Sequence, residues 1–273
     1  MRECCRISAK LHTSMLNLHR LLYNLSLAGV AELADAGDSK SPARKGVRVR
    51  LPPPAPKMKR VIVLLSGGMD SATLLWLCKK EFEEVYSLSF DYGQRHKVEL
   101  KYAKELARLA GVKEHIIVEV PHYRLIKGSA LLEDGPQVPE GPYGEEVPPT
   151  NVPMRNLVFL AIAGSFADSY EIDHIAIGVH ALDTPYPDCR VEFITAMESA
   201  INSASAYVAK TKRRISLYAP FLGMSKTDIA RLGKELGVPF EKTYSCYMGT
   251  EPSCGVCATC LQRQEALRSI GLM

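Results

Sequence analysis

Residues 61–76, VIVLLSGGMDSATLLW, decide the fold. Residues 61–65 form an unbroken apolar run of the length of a strand buried on both faces. From 70 to 80 (DSATLLWLCKK) apolar residues recur at helical spacing. Between them stand Gly67 and Gly68. Glycines there let the backbone approach a phosphate closely, and a helix start offers unpaired N–H groups with a favourable dipole. Ser66 and Ser71 add hydroxyl donors. The loop lacks the Gly-Lys-Ser/Thr end of an ordinary γ-phosphate cradle and also the full dinucleotide fingerprint.

The pattern repeats outward from this unit. Strands are predicted at 85–90, 115–120, 174–179 and 215–219, with helices at 96–110, 156–169, 190–208 and 225–236. Gly111 and Gly237 are placed to stop two of these helices, and Ser225 has the chemistry of an N-cap. Strands alternating with helices at this spacing predict an α/β fold, a doubly wound, Rossmann-like parallel sheet. Residues 127–153 are rich in Pro and Gly and read as a long functional loop.

At 273 residues and 47% hydrophobic composition, one main domain is the default. No apolar run is long enough to cross a bilayer. Of 34 basic and 30 acidic residues, ten and four fall in 1–57, leaving 24 and 26 in the body. The net positive charge thus belongs to the leader, and the body has no bulk electrostatic case for gripping nucleic acid. Residues 1–57 show no convincing structural pattern and end in RKGVRVRLPPPAPK, which continues neither helix nor central strand. Residues 28–54 resemble a transfer-RNA gene read through as protein, which makes Met58 the expected start. The expected organisation is a non-native or disordered leader at 1–57, a nucleotide-binding domain at 58–240 and a metal-binding segment at 241–273.

Cys246, Cys254, Cys257 and Cys260 lie in SCYMGTEPSCGVCATC. Four thiolates so close can complete a tetrahedral site, and Gly255 eases the turn between ligands. Structural Zn²⁺, one per chain, is favoured, since four thiolates leave no open position; an iron–sulfur cluster takes the same donors, and spacing does not separate the two. A reducing cytoplasm fits this cysteine usage better than a secreted disulfide framework. Cys78 reads as a core residue.

SGGMDS after a strand resembles the signature of the PP-loop ATP pyrophosphatase superfamily, which has an adenine nucleotide alpha hydrolase-like fold. With FDYGQRH (90–96), VPMRN (152–156), YPDCR (186–190) and the cysteine tail in order, the resemblance narrows to the 7-cyano-7-deazaguanine synthase family of queuosine biosynthesis. It covers nearly all of 58–273. It implies a ligase that converts 7-carboxy-7-deazaguanine and ammonia to the nitrile through an adenylated acid and an adenylated amide, releasing AMP and diphosphate. By the same resemblance ATP is held by Leu65, Ser66, Gly67, Gly68, Met69, Asp70, Ser71, Ala72, Thr73, Leu74 and Leu75, with Mg²⁺ at Asp70. Catalytic roles fall to Asp70, Arg155 and Lys226, and substrate contacts to Arg155, Asp183, Asp188 and Arg190. His96 and His180 read as hydrogen-bonding pocket residues. Cys189 is a thiol that adenylation does not need. The family's usual Asp-x-Ser-Gly-Tyr-Pro-Asp-Cys-Arg is one residue shorter here, at Asp183-Thr184-Pro185-Tyr186.

The expected partners are ATP, ammonia and 7-carboxy-7-deazaguanine, with a homodimer as the assembly to test and neither membrane nor nucleic acid. Two other readings exist. A PP-loop transfer-RNA thiolase needs a sulfur-carrying cysteine and an RNA-binding surface, against which the acidic body speaks. A nucleic-acid-binding zinc module would carry basic residues beside its ligands, where this chain has Glu251, Pro252 and Ser253.

Overall fold

Alternate residues of a single strand feed two separate cores. In β1 (Met58–Leu64) Ile62 joins a core with Leu88, Leu160 and Ile175, while Val61 and Val63 join another with Leu74, Leu106 and Ile229. A strand covered on both faces does this, because successive side chains leave opposite sides of the pleat. The computed structural model describes residues 57–273 apart from 143 and 145. All of the expected leader except Lys57 lies outside the described residues.

The other strands are β2 (Phe82–Asp91), β3 (Glu114–Glu119), β4 (His174–Ala176) and β5 (Ser216–Tyr218). The helices are α1 (Met69–Glu81), α2 (Glu99–Ala110), α3 (Arg155–Tyr170), α4 (Val191–Ala204), α5 (Ala206–Thr211), α6 (Lys226–Leu236) and α7 (Ala258–Ser269). The strands form one wholly parallel sheet in the order β3-β2-β1-β4-β5. Helices α1, α2, α6 and α7 pack on one face and α3, α4 and α5 on the other. This is the doubly wound α/β sheet the sequence predicts. From β1 the chain winds outward to β3 and then returns to the far side of β1. The reversal between β1 and β4 opens a crevice at the carboxyl ends of the strands.

Local chemistry sets the boundaries. Gly111 and Gly237 end α2 and α6 with φ of 62° and 75°, a region that favours glycine. Ser225 Oγ accepts the Asp228 N–H at 3.2 Å, and the Asp228 carboxylate accepts the Ser225 N–H at 3.2 Å, a reciprocal cap on α6. The helix predicted over 190–208 is in fact two. Ser205 breaks it, capping Val208 N–H at 3.0 Å while the Asp168 carboxylate takes up the Ser205 hydroxyl and the Tyr207 N–H. Strand β4 ends at Ala176, three residues earlier than its apolar run implies, because Gly178 to Asp183 turn into the crevice.

The 127–153 loop is anchored rather than free. Ala130, Leu131, Leu132, Val138 and Val152 are buried. Arg95 N–H donates to Leu131 O at 2.7 Å, and its guanidinium donates to Gly135 O at 3.0 Å. Motion of the whole loop as a lid would break these contacts; its exposed side chains include Glu140, Pro142 and Val147.

Candidate active site

The crevice has a volume of about 170 Å³ and is open to solvent. Its floor is the turn from β1 into α1. Gly67 has φ of 91° and lies so near the start of α2 that a Cβ would come within 2.5 Å of Glu99 O. Only glycine fits there. Ser66 and Ser71 hydroxyls lie 3.0 Å apart, and Gly68 N–H donates to Ser66 Oγ at 3.3 Å, so the turn is held by its own side chains. Gly68 is the N-cap of α1 and supplies no side chain to cap its first N–H groups. Those donors face the crevice beside Met69 and Asp70, which suits an anion.

Four ionisable groups gather over this floor. Lys226 Nζ forms a hydrogen-bonded ion pair with Asp70 Oδ2. His180 Nε2 lies 3.9 Å from Asp70 Oδ2 and 3.4 Å from Asp183 Oδ1. Burial works to raise the Asp70 carboxyl, but Lys226 and then His180 outweigh it, so its pKa falls below the usual value. Asp183 goes the other way, raised by burial against the pull of His180 and Lys226. Asp70 Oδ1 is buried with no hydrogen-bond partner among the described residues.

A second group lines the crevice from α2, α3 and the C-terminal segment. Here lie His96, Glu99, Arg155 and Tyr247. The Glu99 side chain is only 13% exposed, and its Oε1 accepts from Gln94 Nε2 at 3.2 Å. Gln94 is itself fully buried, donating to Phe90 O and accepting Tyr92 N–H. Burial pushes Glu99 up to about 8, with Arg155 opposing, and holds His96 down at about 3, with Arg155 adding to the effect. Arg155 Nη1 donates to Tyr92 Oη at 3.4 Å.

The sequence-predicted residues divide. Asp70, Arg155, Asp183, Lys226, His96 and His180 all line the crevice, as do Ser66, Gly68 and Met69. Leu65, Ala72, Thr73, Leu74 and Leu75 are at most 1% exposed and belong to the core under the loop; Thr73 Oγ1 donates to Met69 O. Asp188 accepts Asn156 N–H at 2.9 Å and so satisfies a free donor at the start of α3. Exposed Arg190 donates its Nε to Thr184 O at 3.0 Å. Neither Asp188 nor Arg190 is among the residues lining the crevice. Cys189 is buried, takes a hydrogen bond from Asn156 Nδ2 at 3.2 Å, and burial raises its thiol far from the reactive range. In the shortened 183–187 stretch, Tyr186 N–H donates to Asp183 O at 2.8 Å and its hydroxyl pairs with Thr150 Oγ1 at 2.8 Å.

One wall comes from residues that sequence reasoning passed over. Tyr244, Ser245, Tyr247, Thr259, Gln262 and Arg263 face the crevice. Arg263 reaches Phe240 O at 2.6 Å with Nη2 and lies near enough to act on the charge of Asp70. The only available signal was position: these residues flank the four cysteines. The Sγ atoms of Cys246, Cys254, Cys257 and Cys260 lie within 4.8 Å of one another. Zn–S bonds of about 2.3 Å in a tetrahedron put sulfurs about 3.8 Å apart, so the donor set fits a metal. The N–H groups of Cys254 and Cys257 donate to Cys246 Sγ and Cys254 Sγ, each at 3.4 Å. Such donors support thiolate charge.

The family model described as "Queuosine biosynthesis protein QueC" matches residues 60–271. The chain belongs to this family. The 7-cyano-7-deazaguanine synthase of Aquifex aeolicus (strain VF5) is 72% identical over 211 residues, 77% of this chain and 97% of that protein. That of Sulfurihydrogenibium sp. (strain YO3AOP1) is 64% identical over 78% of this chain and 96% of its own. The Clostridium kluyveri enzyme of the same name is 43% identical over 78% and 95%. The resemblance read from the motifs therefore holds, and the chain is an enzyme of this synthase type in queuosine biosynthesis. A solved U34-tRNA thiolase NcsA from Methanococcus maripaludis overlaps 80% of this chain and 74% of its own at TM-score 0.42 and 15% identity, too little to bear on the site. No described helix is long and apolar enough to cross a membrane.

Proposed function

We propose that the chain converts 7-carboxy-7-deazaguanine and ammonia to 7-cyano-7-deazaguanine, with two ATP cleaved to AMP and diphosphate. The observation that carries this reading is the uncapped start of α1 facing a crevice beside the Asp70–Lys226 pair, with Arg155 across from it. A carboxylate oxygen leaves poorly. Transfer of AMP to it makes a good leaving group, ammonia then gives the amide, and a second adenylation of the amide oxygen permits its loss to the nitrile. The α1 N–H groups and Lys226 hold the phosphates and take up the charge of departing diphosphate. Arg155, planar and bidentate, orients the substrate carboxylate. Both adenylates are open to hydrolysis, and the enclosing wall of Tyr244, Tyr247 and Arg263 limits water.

Asp70 would hold Mg²⁺ with the ATP phosphates, and its unpartnered Oδ1 fits that role. Bound Mg²⁺ would supply neutralising charge. The four thiolates would hold structural Zn²⁺, which fixes the C-terminal wall. We further propose that residues 58–273 suffice in the cytoplasm, so that a chain begun at Met58 keeps full turnover. The buried, poorly acidic Cys189 favours adenylation of a small acid over the thiolase chemistry of related PP-loop enzymes. Incubation with Mg-ATP, ammonia and 7-carboxy-7-deazaguanine, following AMP and nitrile together, tests the reading. Cleavage of ATP to ADP alone would overturn the adenylation, and AMP formed only with another acid would overturn the substrate.

A further inference from the structure

Ammonia at neutral pH is almost all ammonium, which has no lone pair with which to attack. Once ATP and acid fill the crevice, water is displaced from beside the adenylate, and the proton acceptor has to come from the protein. Of the carboxyl groups on the crevice, Asp70 is engaged by Lys226, and Asp183 lies against His180. Glu99 stands apart from both pairs. Its Oε1 is fixed by Gln94 Nε2 at 3.2 Å and lies 3.5 Å from His96 Nε2. Its helix is pressed against the phosphate loop at Gly67, which brings the carboxyl to the side of the site where the adenylate would form.

We infer that Glu99 Oε2 is the general base that takes a proton from ammonium in the amide-forming step. This rests on the function proposed above. One N–H bond of ammonium breaks and its proton passes to Oε2. The freed lone pair makes the C–N bond to the acyl carbon. The C–O bond to AMP then breaks, its electron pair leaving with AMP, whose phosphate takes the second proton from the nitrogen. The surroundings suit the task. Neutral His96 and Gln94 face Glu99 from the turn before α2, Tyr92 from the end of β2, Arg155 from α3 and Tyr247 from the C-terminal segment. Burial raises Glu99 to about 8, near the proton affinity of ammonia, so transfer in either direction is nearly balanced.

The test is Glu99→Gln, which preserves size and the contact to Gln94. At neutral pH the rate with ammonia should fall about a hundredfold or more. The acid-dependent exchange of diphosphate into ATP, which reads adenylation alone, should persist. With methoxyamine, already neutral at that pH, variant and wild type should trap the adenylate equally. The wild-type ammonia rate should level off above about pH 8, where Glu99 is already ionised, while the variant keeps climbing as free ammonia appears. A variant as impaired with methoxyamine as with ammonia, or one that loses the exchange reaction, overturns the assignment. Absence of exchange in the wild type instead overturns the underlying function.

Discussion

Asp70 and Glu99 line one crevice from two regions of the molecule, the phosphate loop and the start of α2, and their surroundings push them in opposite directions. Both are largely withdrawn from water. Asp70 meets Lys226 and His180, which overcome the burial cost and keep it ionised. Glu99 has Arg155 in its field but no ion pair to it, so burial prevails. Charge state here follows from the partner rather than from depth. Two carboxyls set apart in this way mark a division of labour: one holds charge fixed, the other exchanges protons.

Asp70→Asn should break the comparison most severely. Loss of the fixed charge at the phosphate end is expected to cut AMP formation by about 10²- to 10³-fold at saturating ATP, measured by quenched-flow AMP release. An active Asp70→Asn enzyme would show that no carboxylate is needed there.

Lys226→Met should sharpen it by turning Asp70 into a second Glu99. With the ammonium partner gone, burial becomes the larger influence and the Asp70 pKa rises. The sign follows: native Asp70 sits below its unfolded value, so its stabilising contribution is complete above that value and fades as pH falls through the folded pKa. In the variant the acid limb of the rate profile should move to higher pH, with turnover down about tenfold or more. An unmoved acid limb would remove Lys226 as the cause of the low Asp70 pKa.

Stripping the four-thiolate site with a chelator should act on the wall and thereby on Glu99, which shares the crevice with Tyr247. The expected result is a lower melting temperature with zinc release, both reversed by added Zn²⁺. An unchanged melting curve after complete metal loss would mean that the wall stands without it. Cys189→Ser touches neither carboxyl and should change turnover least, as steady-state rates would show.

The phosphate-loop half of this comparison was legible in the sequence, and the other half was not. Gly67, Gly68 and Asp70 fall within four residues, and their place between strand and helix is visible in the sequence itself. The four cysteines are nearly as local. Glu99 looks like any acid in the first turn of a helix; only the fold withdraws it from solvent. Arg263 sits on a helix whose pattern says nothing of the crevice, since that depends on how the knuckle aims it. Asp188 and Arg190 have local tasks that the sequence does not show. Both stand in a polar loop at a strand end, yet one caps α3 and the other holds Thr184 O, tasks that backbone geometry assigns after the chain has folded. The same local hydrogen bond at Ser205 divides a helix that apolar periodicity draws as one.

The crevice wall drawn from 244–263 has a consequence for synthesis. The phosphate loop leaves the ribosome early, and its β1–α1 unit can form while most of the sheet is still unmade. The residues that enclose it come almost last. A half-made chain lacks this wall of the crevice. The crevice is complete only when the last helix, α7, has been made and its Thr259, Gln262 and Arg263 stand beside the loop.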